Sequence, residues 1–436
     1  MIRFVFVAAA LVLAALPARA IDIKEVTSPG GITAWLVEEH SIPFTALEIR
    51  FKGGASLDRD GKRGAINLMT GLLDEGAGDL DATGFAAARE ALAASYGFDV
   101  RDDSFSVSAQ FLTGNREEAV ALLKLALNEP RFDQSSIDRV RSQIVSIIGS
   151  DAKDPNEIAS DTAARLHWGD HPYGSNSNGT IESVTALTRD DVVNAYKDVL
   201  ARDRLYVGAV GDITAEELGA ILDDLLGGLP EVGAPMPEQA EYLQTGGITV
   251  VPFNTPQSVA LFGHEGIERH DPDFFPAFVM NQIMGAGGFG SRLMQEVREK
   301  RGLTYGIGSY LVPKDYGYLY LGQFASSNDR IAEAIDVVKG EWARLAEEGV
   351  TEEELADAQR YLTGAYPLRF DGNAQIAGIL AGMQMDDLPI DYADTRNDRV
   401  NAVTVDDIKR VAERLLRPQD LHFVVVGQPE GLESTN

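Results

Sequence analysis

Apolar and polar positions along this chain follow one pattern, and the chain writes it twice. The stretch TALTRDDVVNAYKDVLARDRLYVGAVGD (185–212) aligns without a gap on NAVTVDDIKRVAERLLRPQDLHFVVVGQ (401–428). Each copy opens on a threonine suited to an N-cap, continues with apolar residues at helical spacing, and ends in a continuous apolar run closed by glycine. Thr188 and Thr404, Asp190 and Asp406, Asp191 and Asp407, and Gly211 and Gly427 fall on equivalent positions. A second echo starts at Asn115 and Asn328, where each copy reads helix, short break, acid-rich helix start.

A period this long means duplicated domains rather than a solenoid. The Pro- and Gly-rich stretch GLPEVGAPMPEQAEYLQTGG (228–247) reads as the linker between them. Two strand-like runs open each half, long helices fill its middle, and a strand closes it. Around Pro313-Lys314-Asp315-Tyr316-Gly317 the pattern predicts a hairpin. The predicted class is α+β: two homologous domains, each an antiparallel sheet with helices packed on one face. They occupy residues 21–227 and 248–436.

Residues 1–20, MIRFVFVAAALVLAALPARA, stand apart. Arg3 precedes an apolar run, and Ala18-Arg19-Ala20 has the small-x-small form of a cleavage site. This reads as a secretory signal peptide removed after Ala20, with export to the periplasm and no membrane insertion of the mature chain. The chain has no cysteine, which excludes disulfides and thiolate chemistry. Its 38 Lys and Arg stand against 67 Asp and Glu, a formal net charge of −29, which argues against nucleic-acid partners.

Several motifs offer chemistry and most of them fail on context. GAGGFGS (285–291) places Gly285, Gly287 and Gly290 as G-x-G-x-x-G. A dinucleotide site needs a strand before it, and DFFPAFVMNQIM has helical spacing. The glycines, Gly288 included, read instead as a connector that lets backbone come close to something, such as an extended peptide. His264-Glu265 starts an imperfect H-E-x-x-H, but that motif works on a helix, and here it sits in a strand pattern running into a polar loop. His167 and His171 are separated by Gly169 and read as a turn. No G-x-S-x-G elbow is present.

Arg298 is different. Its helical neighbours Met294, Gln295, Arg301 and Gly302 include no carboxylate, so no local ion pair accounts for it. Seven residues on, Tyr305 falls at the predicted start of a strand with Leu303 and Ile307. A guanidinium and a phenol beside a glycine-rich loop can donate hydrogen bonds to a peptide carbonyl.

With the duplication, the linker, HPYG (171–174) and the G-x-G-S-R-L…R-E-x-x-G-L-x-Y segment in view, the chain resembles the pitrilysin/insulinase-like zinc peptidases, or inverzincins. It resembles in particular their two-domain subunits of mitochondrial-processing-peptidase type. The resemblance implies a clam-shaped chamber, with an Arg–Tyr pair from the second domain that contacts substrate near zinc. Arg298 and Tyr305 match that pair. The family's H-x-x-E-H falls on GAINLMTGLLDEG (64–76), where this chain has Asn67, Thr70 and Gly71 instead. An amide, a hydroxyl and a hydrogen do not hold zinc or activate water. No Glu lies between Glu129 and Glu157 to serve as the distal ligand. The expectation is a zinc-less subunit, without cofactor of its own and inactive alone, that pairs with an H-x-x-E-H-bearing homologue carrying zinc. Its substrate would be a peptide. The alternative is a stand-alone, non-catalytic peptide-binding or scaffold protein.

Overall fold

The computed structural model describes residues 21–435, so the signal-peptide reading of 1–20 lies outside the described residues. The strands of the first half are β1 (Lys24–Thr27), β2 (Thr33–Glu38), β3 (Phe44–Lys52), the short pair β4 (Gly76–Ala77) and β5 (Leu80–Asp81), β6 (Ser95–Val100), β7 (Ser104–Leu112) and β8 (Leu205–Gly211). Those of the second are β9 (Gly247–Pro252), β10 (Gln257–Glu265), β11 (Ile307–Lys314), β12 (Gly317–Ser327) and β13 (His422–Gly427). The large sheets run β1-β2-β8-β3-β7-β6 and β9-β13-β10-β12-β11. Apart from β1 the two orders correspond strand for strand. The α+β class and the duplication stand, and β11–β12 forms the expected antiparallel hairpin.

Threonine capping boxes open the equivalent helices at Thr188 and Thr404, each threonine hydroxyl accepting from an Asp backbone N–H three residues on. The strands that follow are largely apolar and buried because they are central in their sheets. Each sheet carries one parallel pair, β2 with β8 and β13 with β9, among antiparallel neighbours. The last strand of each half returns beside an early one, β2 or β9, after a crossover of helices that permits parallel pairing.

Helices cover both faces of each sheet, not one. The helices of each half build the core on one face, around Phe51, Phe105 and Phe111 in the first half and Phe262, Trp342 and Phe423 in the second. The other face is covered by a helix from the opposite half. Ala377, Leu380 and Met383 of the Asn373–Met385 helix pack on Trp35, Ala46 and Val210 of the first sheet. Ala159 and Ala163 of the Pro155–Trp168 helix pack on Leu261, Val424 and Val426 of the second. The Asn373–Met385 backbone comes so close that a Cβ on Gly208 of β8 would sit 2.2 Å from Ala377 O. Sequence periodicity does not encode which sheet a helix covers, which is why this exchange is a finding of the structure.

HPYG joins the halves. The buried Tyr173 hydroxyl donates to Asp103 Oδ1 (2.5 Å) and accepts from Tyr316 N (3.1 Å) in the β11–β12 turn. Lys314 lies 4.2 Å from the Tyr173 ring and pairs with Asp102. Nearby, residues 228–246 form neither helix nor strand. Their backbone is nonetheless pinned, Ala240 N donating to Tyr316 O (2.7 Å) and Leu243 N to His167 O (2.9 Å).

Candidate functional site

The positions that correspond to the zinc motif lie on a short buried helix, Ala65–Thr70, whose Ile66, Leu68 and Met69 enter the first core together with Leu72 and Leu73 beyond it. Each substituted position is committed to local structure. Asn67 Nδ2 donates to Asn178 Oδ1 (2.9 Å). Thr70 Oγ1 donates back to Ile66 O (2.8 Å), as buried threonines in helices do. Gly71 has no side chain, and a Cβ there would stand 3.0 Å from Val140 Cγ1. The acids after the helix are paired elsewhere, Asp74 with Arg89 (3.2 Å) and Glu75 with Arg139. A zinc ion needs several imidazole, thiolate or carboxylate donors converging on one point. Among the described residues no three His, Cys, Asp or Glu side chains come together that way. The residues present do not fit zinc.

His264 and His167 are structural. His264 is buried in β10, with Nδ1–H donating to Glu265 O (2.7 Å) and Nε2 accepting from Trp342 Nε1–H (3.0 Å). Burial pushes its pKa down to about 4, so it is neutral with both nitrogens in use. His167 is packed between Tyr242 and His422, and burial pushes it down to about 3.

The second half presents the opposite situation. The Phe274–Asn281 helix runs into a π-helical turn at Gln282–Ala286, so the segment before the glycines is helical, as its spacing predicts. The glycines divide in two. Gly285 is buried, where a Cβ would sit 2.2 Å from Ser309 Oγ; this glycine seats the helix end on β11. Gly287 is half-buried, and a Cβ on it would stand 2.6 Å from Gln282 O. Gly288, at φ +56°, and Gly290 have open space at the Cβ position. Between them Phe289 is exposed.

A second π-helical stretch, Met294–Glu299, carries Arg298. Its basic neighbours are all paired. Arg292 binds Glu354 through two nitrogens (2.7 and 2.8 Å), while Lys300 (2.6 Å) and Arg301 (2.7 Å) hold Glu296. Burial opposes ionisation of Glu296, but these bonds outweigh it and keep the carboxyl below its usual range. Arg298 makes no ion pair among the described residues. Its guanidinium lies 4.7 Å from the centre of the Phe289 ring, a cation–π contact that aims it at the glycine loop. The sequence reasoning did not single out Phe289; an aromatic placed among four glycines was the available signal.

Tyr305 is not in a strand, because β11 starts only at Ile307. It stands in the connecting loop with 84% of its surface exposed. Gly302, at φ +60°, ends the helix and turns the chain. The flanks of Tyr305 are then fixed to β12. Ser326 Oγ–H donates to Leu303 O (2.5 Å) and Thr304 Oγ1–H to Ala325 O (2.7 Å). The loop is anchored and its phenol is free. Among the described residues Arg298 and Tyr305 share no hydrogen bond with each other, and the side chain of neither has a hydrogen-bond partner.

Residues 186–362 match the family model described as "Peptidase M16 inactive domain". The non-peptidase homolog YmxG of Helicobacter pylori is 26% identical over 390 residues, covering 89% of this chain and 90% of that protein. A probable mitochondrial-processing peptidase subunit beta of Schizosaccharomyces pombe is 25% identical, covering 73% and 72%. The crystal structure of a peptidase M16 inactive domain from Pseudomonas fluorescens superposes with a TM-score of 0.87 at 27% identity, covering 94% of this chain and all of that one. Residues 186–362 thus match the M16 inactive-domain model, and the chain as a whole, a fold of two corresponding halves, is similar in sequence and structure to pitrilysin-like M16 proteins.

Proposed function

We propose that this chain is the zinc-less subunit of a heterodimeric metallopeptidase, whose homologous partner carries the H-x-x-E-H zinc set. The observation that carries the proposal is the contrast in side-chain commitment. Asn67 and Thr70 spend their polar atoms on internal bonds. Arg298 is unpaired against Phe289, and Tyr305 is exposed on an anchored loop. In the proposed pair Tyr305 donates a hydrogen bond to the scissile or an adjacent carbonyl and Arg298 supports it. Gly288 and Gly290, with open space at their Cβ positions, give an extended peptide room against the backbone. The pair acts after export to the periplasm. Among the described residues no helix is long and apolar enough to cross a membrane.

The test is substitution within the reconstituted pair. Tyr305→Phe and Arg298→Ala should lower peptide turnover while leaving co-purification of the subunits unchanged. Loss of assembly with Arg298→Ala would make it an interface residue instead. A second reading, a non-catalytic peptide-binding or scaffold protein, draws support from the Helicobacter pylori relative, which is named a non-peptidase homolog. Under that reading the same variants weaken peptide binding and no partner raises hydrolysis.

A further inference from the structure

The second face of the first sheet carries more than the exchanged helix. Between β3, the Asn373–Met385 helix and the helices at Phe274–Asn281 and Tyr392–Asn401 lies a cavity of about 500 Å³. That is within the range of roughly 300–1,000 Å³ that small-ligand sites occupy. Its charged lining is four arginines, Arg50, Arg269, Arg369 and Arg396, against the single carboxylate of Asp386. In a chain of net charge −29 this is a local reversal of sign.

The arginines differ in how far they are spoken for. Arg50 donates to Glu48 (3.0 Å). Arg269 donates to the Tyr392 hydroxyl (3.0 Å) and stands 3.8 Å from Asp386. Arg369 is exposed, and its side chain has no hydrogen bond or ion pair among the described residues. Arg396 is the unusual one. It is only 6% exposed, packed against the Tyr366 ring (4.5 Å), the Phe278 ring (5.3 Å) and Tyr392, and it pairs with no carboxylate among the described residues. One nitrogen, Nη1, is used on Leu362 O (2.9 Å) and Asn397 Oδ1 (3.0 Å). Burial lowers its pKa from the ordinary guanidinium value, the sign of a cation without a counter-charge. Clamping the end of a helix accounts for Nη1. It does not account for the excess of positive charge on the cavity wall.

We infer that this cavity binds an organic carboxylate on an apolar or aromatic body, the carboxylate taken by Arg396 and Arg369 and the body by Phe275, Phe278, Ile379 and Met383. A planar guanidinium matches a carboxylate through two parallel hydrogen bonds. The aromatic and aliphatic wall favours such a ligand over a free phosphate, whose hydrated oxygens would gain nothing from it. Arg50 comes from the first half and the other arginines from the second, so a bound ligand bridges the exchanged helix and the sheet beneath it. The site is separate from the segment that carries Arg298 and Tyr305, and the inference does not rest on the proposed peptidase role. The same chemistry is offered by the free C-terminus of an apolar peptide and by a small amphipathic acid.

Isothermal titration of the mature chain distinguishes these sources with three probes: acetyl-Ala-Leu-Phe with a free carboxylate, the same peptide as its C-terminal amide, and 3-phenylpropanoate. The expected result is saturable one-to-one binding of the acid peptide with the amide at least about 10-fold weaker, the scale of one charge-assisted contact. Binding of 3-phenylpropanoate as well identifies a small-acid site; its failure beside a bound acid peptide identifies a peptide-terminus site. Arg369→Gln lies on the surface and should fold normally while weakening the acid about 10-fold. Arg396→Gln should weaken it further, with circular dichroism reporting whether that variant still folds. Equal binding of acid and amide, no binding up to about 10 mM, or an unchanged affinity in folded Arg369→Gln overturns the inference.

Discussion

The helix that ends at Thr70 and the segment that runs from Gly285 to Tyr305 occupy opposite halves of a duplicated fold, and they differ in what their side chains are free to do. On the first, apolar residues fill the core, Asn67 binds Asn178, and Thr70 binds its own helix. On the second, the packing residues Leu293, Met294 and Val297 are equally buried, yet Arg298 and Tyr305 keep their donors unspent. In the first region ordinary folding takes up the Asn67 amide N–H and the Thr70 hydroxyl. In the second it leaves two groups over, and an unspent donor on an anchored frame is what a recognition site requires.

If the first region is purely structural, breaking it should cost stability above all. Leu68→Ala, at a fully buried position, should destabilise the chain by about 2–5 kcal/mol, read as a lower urea midpoint. Tyr305→Phe should do the reverse. It should lower turnover of a reconstituted pair by about 10²–10³, as loss of an oxyanion donor does. Its effect on the urea midpoint should stay within about 0.5 kcal/mol, as for an exposed side chain. A midpoint shift as large as that of Leu68→Ala would erase the distinction between the two regions.

The buried histidines sharpen the same contrast through pH. His167 is held neutral in the fold, with its pKa down at about 3, and in the unfolded chain it titrates near the ordinary 6.5. The unfolded state therefore binds more protons between those values. The contribution of His167 is complete above pH 6.5 and is lost as pH falls, by about 2 kcal/mol at pH 5. Asp58 and Asp103, which burial raises to about 6, act with the opposite sign below that pH. The informative measurement is thus the difference between the chain and His167→Gln. The variant should lose less stability between pH 7 and 5, and parallel pH profiles would contradict the assignment. The smallest effect belongs to Asn67→Ala, which removes one hydrogen bond and should cost about 0.5–1.5 kcal/mol in thermal or urea unfolding.

Much of this was legible in the residues. The repeated Thr-x-x-Asp boxes, the apolar closing strands and the Lys314–Gly317 turn all act locally, and the structure reproduces them. The absence of carboxylates one turn from Arg298 correctly anticipated its lack of an ion pair. Three things were hidden because they depend on contacts between distant segments. The exchange of the Pro155–Trp168 and Asn373–Met385 helices is a matter of which sheet lies above which. The strand predicted to start at Tyr305 begins two residues later, since Gly302 and the bonds at Leu303 and Thr304 hold the chain out as a loop. The arginines around the cavity lie from position 50 to 396 and gather only on folding.

The central claim is that the open segment of this chain completes a site whose zinc resides elsewhere. Its most direct test is hydrolysis of an unstructured quenched-fluorescent peptide, with zinc present, by this chain alone, by an H-x-x-E-H homologue alone, and by the two together. The account predicts no activity for this chain, little for the homologue, and a sharp rise in the mixture that Tyr305→Phe removes. A mixture no more active than the homologue alone, or unaffected by Tyr305→Phe, would contradict it.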